Sequence, residues 1–440
     1  MIRINIFQNT LTGNGIPIIL SKINLDILKK KIKNKFKKKP QKIYFESGEE
    51  IFDNNICKIK NGFNIVFTLN DNVFIGNDID IDKDIPIKLI VSSSYVSSDA
   101  VKQLENSANR LEGVKEVYGM PDLHAGNGCP VGAVYYIEDV VHPHMIGSDI
   151  GCGMAFFQLE TKINSINFKK LGKNIKSIDG CYNINSDHDF KNQLGTIGKG
   201  NHFAEIQIVT EIVDINLFKE LHLDDRCYYM LVHSGSRDYG YSILNTYKNN
   251  KILKGNDITK YMEKHNDALK WATFNRELIA ERLINELKRN CSYHKITDIF
   301  HNFIEFKNID NKNIWIHRKG ATSADNEIVI IPGSRGDFSY LVKPCPNTKN
   351  FGQTLPHGAG RKISRSSALI AKKNKDKQFI NNKFNSIIVC DNSDLLYEEA
   401  PKTYKNIKNI ISDLVEQNLI KVIAILQPVF TYKTKKDMPQ

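Results

Sequence analysis

The chain has 440 residues, of which 41% are hydrophobic, and it carries a formal net charge of +12. This length suits one large α/β or α+β domain, or two or three smaller domains. No run of about 18 apolar residues occurs and the N-terminus lacks a signal-peptide pattern, so we expect neither a membrane span nor secretion. The eight scattered cysteines contain no CxxC pair, which excludes a disulfide framework and is typical of a reducing cytoplasm.

The positive charge favours a polyanionic partner such as RNA, DNA or a nucleotide. Many of the lysines lie in a lysine-rich stretch near the N-terminus, between residues 29 and 39. Lysine-rich helix faces are usually only solvated, so charge by itself leaves both interpretations open.

Residues 1–84, here called the N-terminal layer, are predicted as a separate accessory region of unknown role. A basic amphipathic helix is predicted over Ile23–Phe36, and the acidic stretch Asn77–Asp84 is predicted as a linker. Three short strands are predicted between them: Lys42–Phe45, Ile56–Lys60 and Asn64–Leu69. We find no catalytic constellation in this layer.

Residues 85–440, here called the main body, are predicted to open with a strand over Ile85–Val91. Ser97 is predicted to cap the helix that follows, and Met120–Gly128 is predicted as a polar loop. A long helix, or a bent pair of helices, is predicted over Ile258–Asn290. Further strands are predicted at Val131–Ile137, Ala155–Leu159, Tyr228–Val232 and Val422–Tyr432.

The segment Gly147–Met154 places the carboxylate of Asp149 and the thiol of Cys152 three residues apart among glycines. Glycines let the backbone turn tightly and approach a ligand closely. The segment is either a glycine-rich turn with a buried, inert cysteine or half of a metal site.

Six histidines adjoin glycine, asparagine, arginine or another candidate functional residue, mostly at an inferred strand end or loop, and we infer that they share a site. They are His124, His202, His233, His301, His317 and His357. With Asp149 and Cys152, three of them supply one oxygen, one sulfur and three nitrogen donors: His202, His233 and His301. Such donors suit Zn, Fe, Co or Mn, and the lack of close cysteine pairs indicates a catalytic rather than a structural site.

Basic residues near these histidines favour phosphate chemistry, because metals and arginines offset charge on a transferring phosphoryl group. They are Arg237, Arg318, Lys319 and Arg361. His357 is a candidate covalent nucleophile, since histidine forms phosphoramidates. The residues alone leave hydrolysis and ligation equally open.

The main body resembles the RtcB family of RNA ligases over about residues 85–433. The motifs that carry the resemblance occur in the family's order: MPDLHAGNG, GSDIGCGM, LGTIGKGNHFAEI, HSGSR, HNFIEF, HRKGATSA, PGSRG, HGAGR and EEAPKTY. The stretch PDLHAGNGCPVGAV followed by HPHMIGSDIGCGM is most similar to the bacterial subgroup encoded beside release factor H.

The resemblance implies a ligase that depends on GTP and two Mn²⁺ ions and joins RNA 3′-phosphate or 2′,3′-cyclic phosphate ends to 5′-hydroxyl ends. His357 would take GMP from GTP and Asp122 would orient it, while Cys152 would bridge the two ions. The implied metal ligands are Asp149, Cys152, His202, His233 and His301. The implied guanylate pocket contains Asn201, Glu205, Ser334, Gly358, Ala359, Gly360, Arg361 and Lys433, and the implied RNA or phosphate contacts are Arg237, Arg318 and Lys319.

Three positions depart from the family pattern as we expect it: Arg335 replaces Met, Pro356 replaces a small polar residue, and Gln427 replaces Arg. They leave pocket details open without removing a metal ligand or the nucleophile.

We therefore predict an α+β catalytic domain with mixed β-sheets, and a cytoplasmic RNA ligase of rRNA or tRNA repair that acts with the ribosome and release factor H. No DNA or membrane partner is expected. A tRNA-splicing ligase, a dinuclear metal phosphodiesterase and an RNA-binding protein with a dead site are the alternatives. The oligomeric state is left open.

Overall fold

A computed structural model describes residues 2–8, 15–46, 48–69, 85–180, 182, 188–248, 251–287, 291–381 and 384–435. The predicted linker at residues 77–84 lies outside these ranges. No helix within the described ranges is both long and apolar enough to cross a membrane.

The N-terminal layer folds around a four-stranded mixed sheet of order β2-β1-β4-β3. Its strands are β1 Ile2–Gln8, β2 Ile16–Leu20, β3 Lys42–Phe45 and β4 Asn64–Thr68, and helix α1 spans Leu25–Phe36. The side chain of Asn24 caps α1 by accepting from two backbone amides of its first turn. Ile4, Ile32 and Ile65 belong to a hydrophobic cluster drawn from this layer alone, so the layer has its own core.

The predictions for the helix, for β3 and for β4 are confirmed to within about two residues, whereas β1 and β2 were not predicted. The predicted strand at Ile56–Lys60 is wrong, because Ile56–Lys58 forms a turn of 3-10 helix. Asn55 accepts a hydrogen bond from the backbone of Phe52 at 2.7 Å, which coils the chain just before this segment. Ile56 and Ile59 then reach the core three residues apart, as in a helix rather than a strand.

The main body is built on an eight-stranded sheet of order β13-β9-β11-β10-β21-β18-β17, with β20 parallel to β21. Its strands are β9 Gly153–Lys162, β10 Phe203–Ile212, β11 Cys227–Ser234, β13 Tyr293–Phe300, β17 Val329–Pro332, β18 Ser339–Pro344, β20 Ile387–Cys390 and β21 Ile420–Thr434. A five-stranded sheet has the order β14-β15-β7-β6-β5. Its strands are β5 Ile87–Leu89, β6 Val114–His124, β7 Val131–Glu138, β14 Asn302–Ile309 and β15 Lys312–Lys319. Two small pairs complete the strands: β8 Val140–Val141 with β12 Leu253–Lys254, and β16 Ala321–Ser323 with β19 Thr354–Pro356.

Both faces of the eight-stranded sheet are buried. One face shares a core with the five-stranded sheet, where Phe156 and Leu231 pack with Met120 and Val134. The other face packs against helix α7, Asn256–Glu286, which confirms one continuous helix there. The other helices are α2 Ser98–Arg110, α3 Pro143–Ile146, α4 Phe168–Asn174, α5 Ile215–Glu220, α6 Asp238–Thr246, α8 Arg365–Lys373, α9 Ser393–Glu398 and α10 Ile407–Glu416. The predicted α+β class with mixed sheets is confirmed.

The prediction of a loop over Met120–Gly128 is wrong in its first half, because β6 continues to His124. The pairing of β6 with β7 is interrupted between Gly119 and His124, and the side chains of Met120, Asp122 and Leu123 are fully buried. The polar residue Asp122 in this buried strand interrupts the apolar pattern by which strands are recognised in a sequence. Asp122 is consequently held by sheet structure and not by a surface loop.

A buried carboxylate ties the start of the main body to helix α10. Asp413 accepts hydrogen bonds from the hydroxyl of Ser92 at 2.8 Å and from the backbone amides of Ser93 at 2.6 Å and Ser94 at 3.1 Å. Asp413 is fully buried, so this segment depends on one side chain about 320 residues away in sequence.

We expect Asp413→Ala to lower the free energy of unfolding of the main body by about 2–3 kcal/mol, because hydrogen bonds to a charged group are lost and two amides are left unpaired. Thermal unfolding of the full chain measures this as a lower midpoint. Glu416→Gln is the matched control, since Glu416 contacts the same Ser92 hydroxyl from an exposed position. An equal shift in both variants would contradict the assignment.

Candidate functional site

Four neighbouring strands bring their polar ends to one edge of the eight-stranded sheet. Cys152 precedes β9, His202 precedes β10, His233 lies at the end of β11, and His301 follows β13. The register pairs His233 with Met154 on one side and with Phe203 on the other. Because the strands alternate in direction, two strand starts and two strand ends meet at the same edge.

The donor atoms of these residues converge. The Sγ atom of Cys152 lies 3.4 Å from Nε2 of His202 and 3.2 Å from Nε2 of His233. The Nε2 atoms of His233 and His301 are 3.3 Å apart, and a carboxylate oxygen of Asp149 is 2.9 Å from Nε2 of His202. Among the described residues, Cys152, His202 and His233 form the one group whose donor atoms all lie close enough to share a metal ion, and Asp149 and His301 each contact a member of it. The structure thus assembles all five predicted ligands.

The protonation states of this cluster suit a cation. Burial lowers the pKa of His233 and of His301 well below the usual value, so both imidazoles are neutral and have a free lone pair. Burial opposes ionisation of Asp149, but the charge and hydrogen bond of His202 and the amide of Arg237 together lower its pKa.

Burial and the Asp149 charge raise the pKa of Cys152 well above its usual range. A thiol in this position ionises when a bound cation compensates its charge. The Nδ1 atoms of His233 and His301 have no hydrogen-bond partner, while their Nε2 atoms face each other. This donor set fits one or more divalent cations.

The converging donors form one end of a cavity of about 280 Å³. The wall includes every residue predicted for the guanylate pocket: Asn201, Glu205, Ser334, Gly358, Ala359, Gly360, Arg361 and Lys433. Asp149, Cys152, His233, His301, Lys319 and His357 line the same cavity. His202 and Asp122 lie behind this wall, each contacting a residue that lines it.

His357 is paired with a buried carboxylate. Its Nδ1 atom lies 2.6 Å from a carboxylate oxygen of Asp122, although the contact lacks the angle of a hydrogen bond. The rings of His357 and His301 have centroids 4.9 Å apart, so the pair adjoins the metal-type donors. Gly360 has a φ of 64° and lies so close to the backbone of Asp122 that a Cβ atom would collide with it.

Lys405, which sequence reasoning missed, holds this carboxylate in place. Its Nζ atom donates to the carbonyls of Pro121 at 2.9 Å and of Leu123 at 2.7 Å, on either side of Asp122. Burial lowers the pKa of Lys405 to about 8, against the opposing effect of Asp122. Lys405 directly follows the EEAPKTY motif, and that adjacency was the only available signal.

Two further residues that sequence reasoning missed, Asn275 and Arg276, are neighbours on helix α7. The guanidinium of Arg276 is fully buried and donates to the carbonyls of Gly151 at 2.9 Å and Ser234 at 2.8 Å. It also forms an ion pair with Asp298 at 2.7 Å. Its neighbour Asn275 donates to the hydroxyl of Ser234 at 3.1 Å. The available signal was the presence of these two polar residues within the largely apolar buried face of α7.

The three residues predicted for RNA or phosphate contacts have different surroundings. Lys319 lines the cavity and donates to the carbonyl of Ile146 at 2.6 Å. The backbone of Arg237 donates to Asp149 at 2.8 Å, and its guanidinium contacts Thr196 and lies over Trp271. Arg318 is fully buried, pairs with Glu305 at 2.6 Å and is not part of the cavity wall.

Two of the three departing residues contact the site's framework. Arg335 is buried, lines the cavity, and donates to the carbonyls of Glu399 at 2.9 Å and Leu396 at 3.0 Å. Pro356 pairs with Ala321 between β19 and β16, directly before His357. Gln427 faces Ile208 in the sheet register.

Fold and site together define a class: an α+β protein in which a candidate metal centre adjoins a histidine paired with a buried carboxylate. The family model described as tRNA-splicing ligase RtcB matches residues 103–180, 180–258 and 250–434. This chain belongs to the RtcB family of RNA ligases.

Several curated relatives are similar over most of the chain. RNA-splicing ligase RtcB2 of Escherichia coli (strain ATCC 25922) is 39% identical over 356 residues, which cover 77% of this chain and 93% of the relative. The tRNA-splicing ligase RtcB of Nanoarchaeum equitans is 26% identical and covers 79% of this chain and 95% of its own length. RNA-splicing ligase RtcB of Escherichia coli K12 is 25% identical, with 79% and 97% covered.

A buried carboxylate in the cavity wall, Glu205, is predicted to make stability depend on pH. Burial raises the pKa of Glu205 to about 7 from 4.5, although hydrogen bonds from Thr431 and Gln207 oppose the rise. The folded protein therefore holds this proton more tightly than the unfolded chain. Its stabilising effect is complete below about pH 4.5 and is lost as the pH rises towards about 7.

We expect the free energy of unfolding, without metal or nucleotide, to fall by at most about 3 kcal/mol across this window. Glu205→Gln should remove that part of the pH dependence, because glutamine has no proton to lose. Unfolding midpoints measured across the window test this. Glu211→Gln, an exposed change on the same strand, should keep the wild-type slope, and an unchanged slope in Glu205→Gln would refute the prediction.

Proposed function

We propose that this RtcB-family ligase joins RNA 3′-phosphate or 2′,3′-cyclic phosphate ends to 5′-hydroxyl ends through a GMP adduct on His357. The observation that carries the proposal is the contact of His357 with buried Asp122 beside the metal-type donors in one cavity. A binding protein has no need of a histidine paired with a buried carboxylate at such a place.

Asp122 supports the first step by its position at Nδ1 of His357. A carboxylate there favours the tautomer with the proton on Nδ1, so that Nε2 keeps the lone pair. Nε2 would attack the α-phosphorus of GTP, forming a P–N bond as the P–O bond to pyrophosphate breaks.

In the second step, an oxygen of the RNA 3′-phosphate would attack the same phosphorus and His357 would leave. The 5′-hydroxyl would then attack the RNA phosphorus, lose its proton and expel GMP. A 2′,3′-cyclic phosphate would first be opened by water to a 3′-phosphate. Activation as a GMP anhydride gives the weak hydroxyl nucleophile a good leaving group.

The five converging donors, among them the Cys152 sulfur that lies against two of the imidazoles, would hold the Mn²⁺ ions. Such ions neutralise charge on phosphates during transfer. The cavity wall formed by Glu205, Lys433 and the Gly358–Arg361 turn would receive the guanylate. Glutamate is an acceptor for guanine N–H groups, and Lys433 and Arg361 bring positive charge.

The biological role that we propose is RNA repair in the cytoplasm, on rRNA or tRNA and together with the ribosome and release factor H. The repair role is supported by the subgroup resemblance of the PDLHAGNGCPVGAV segment. The cytoplasmic location is supported by the seven cysteines within the described ranges, all of which are free thiols. A tRNA-splicing role is the second candidate, favoured by the family description and by the name of the Nanoarchaeum relative.

Incubation with α-labelled GTP and Mn²⁺ tests the mechanism. Wild-type protein should acquire an acid-labile label. His357→Ala should acquire none, because among the described residues of the cavity wall His357 is the histidine that contacts a carboxylate. Asp122→Asn should label at least about a hundred-fold more slowly, as an uncharged partner no longer enforces the tautomer. His222→Ala, a change outside the site, is the control.

Labelling of His357→Ala at the wild-type rate would exclude the proposed intermediate. Turnover of RNA ends without any GTP requirement would instead indicate the dinuclear phosphodiesterase alternative.

Cys152→Ser should weaken Mn²⁺ binding by roughly ten-fold or more, since even the loss of groups that only orient ligands costs about that much. Electron paramagnetic resonance of free Mn²⁺ measures the binding without turnover. Cys345→Ser, another buried cysteine, should bind like wild type. Equal affinity of Cys152→Ser and wild type would show that the thiol is not a ligand.

A further inference from the structure

A second and larger space lies between the N-terminal layer and the main body. Its volume is about 1150 Å³, and we call it the interlayer groove. Gln8, Lys38, Lys42 and Phe52 of the N-terminal layer form one wall. Lys251 links the two parts, because its Nζ atom donates to the carbonyl of Gly48 at 3.4 Å and lies 6.0 Å from the ring centre of Tyr44.

The interlayer groove is far more basic than the chain as a whole. Among the residues that the structure describes, seven lysines and two arginines line it, against one carboxylate, Glu50, whereas the whole chain has 61 basic and 49 acidic residues. Several of these cations are held by protein groups: Lys42 faces Glu50 at 3.8 Å, and Lys405 donates to two carbonyls. Lys38 and Lys362 are exposed. The field in the groove attracts a polyanion.

Exposed aromatic rings are concentrated in the same place. Five aromatic side chains count among the exposed large hydrophobic residues of the described ranges, and three of them line the interlayer groove. They are Phe52 at 48% exposure, Tyr95 at 61% and Tyr241 at 44%. Positive charge interleaved with exposed rings is the composition by which proteins bind single-stranded nucleic acid, the rings stacking on unpaired bases.

The interlayer groove opens onto the candidate site. His124, Val131, Lys319, Arg361 and Arg365 line both the groove and the cavity that contains His357. A strand lying in the groove would therefore have its end beside the nucleophile without crossing the protein surface.

We propose that the N-terminal layer forms one wall of a binding groove for the unpaired strand of the RNA substrate, with Phe52 and Tyr95 stacking on bases and Lys38 contacting the phosphate backbone. This inference rests on the proposed function, because it assigns the groove to the substrate of that site. It gives a role to a layer that lies outside the family match, which begins at residue 103.

The test is binding of a fluorescein-labelled single-stranded RNA that ends in a 3′-phosphate, measured by anisotropy without GTP over a series of salt concentrations. Phe52→Ala and Tyr95→Ala should each raise Kd about five-fold or more, by loss of stacking. Lys38→Ala should reduce the slope of log K against log salt by about 0.7. Phe274→Ala and Lys30→Ala, which alter exposed residues outside the groove, should keep Kd within about two-fold of wild type.

Labelling with GTP separates this inference from the proposed function. The three groove variants should form the GMP adduct at the wild-type rate and show a higher KM for RNA with unchanged kcat. Normal labelling with unchanged Kd in Phe52→Ala and Tyr95→Ala would overturn the groove assignment and leave the ligase mechanism standing. A Kd raised only in Lys38→Ala would also overturn it, indicating an acidic partner without exposed bases. Absence of labelling in wild type would refute the ligase mechanism, whatever the RNA binding.

Discussion

The buried guanidinium of Arg276 is the contact on which the arrangement of the site depends. It binds the carbonyl of Gly151, which precedes Cys152, and the carbonyl of Ser234, which follows His233. Its ion pair with Asp298 fixes β13 just before His301. One side chain of α7 therefore sets the relative positions of three segments that carry candidate metal ligands, and removing one partner of such a buried pair costs about 3–5 kcal/mol.

The positive charge of Arg276 also favours the protonation states in which Cys152 and His301 can bind a metal ion. Burial and Asp149 raise the pKa of the Cys152 thiol, and the positive charge of Arg276 partly offsets that rise. At His301, burial has the largest effect in lowering the pKa, and Arg276 lowers it further. Metal binding requires a deprotonated thiol and a neutral imidazole. Arg276 therefore both positions these donors and favours the protonation states in which they bind a metal ion.

The convergence of these side chains could be predicted from sequence because the candidate metal ligands stand at strand ends. Cys152 and His233 adjoin apolar runs that had to be strands, and adjacent antiparallel strands share an edge. What could not be predicted depends on residues distant in sequence. Lys405 acts on Asp122 from some 280 residues away, and the ion pair of Arg318 with Glu305 on the neighbouring strand had no signal in the sequence. A local sequence pattern indicates that a residue is functional or charged, but it does not show which distant side chain will contact it.

The same limit explains the two errors in secondary structure. Ile56–Lys58 has strand-forming residues, yet the turn made by Asn55 commits it to a helical turn. Met120–His124 has turn-forming neighbours, yet it continues β6, with Met120, Asp122 and Leu123 fully buried. In both places a polar side chain obscures the local pattern: Asn55 accepts from a nearby amide, and the buried Asp122 contacts a histidine distant in sequence.

The donor end of the cavity and the interlayer groove differ in the sign of the charges that line them. At the donor end, two of the imidazoles are held neutral by burial, and the ionised carboxylate of Asp149 supplies negative charge that a cation must balance. Towards the groove, Arg361, Arg365 and Lys319 present positive charge at the shared wall. If the proposed groove admits the RNA, its phosphate would pass from these fixed protein cations towards the candidate metal centre. On the proposed function, a bound cation would balance the Asp149 carboxylate, which otherwise repels an anion, before a phosphate binds beside His357.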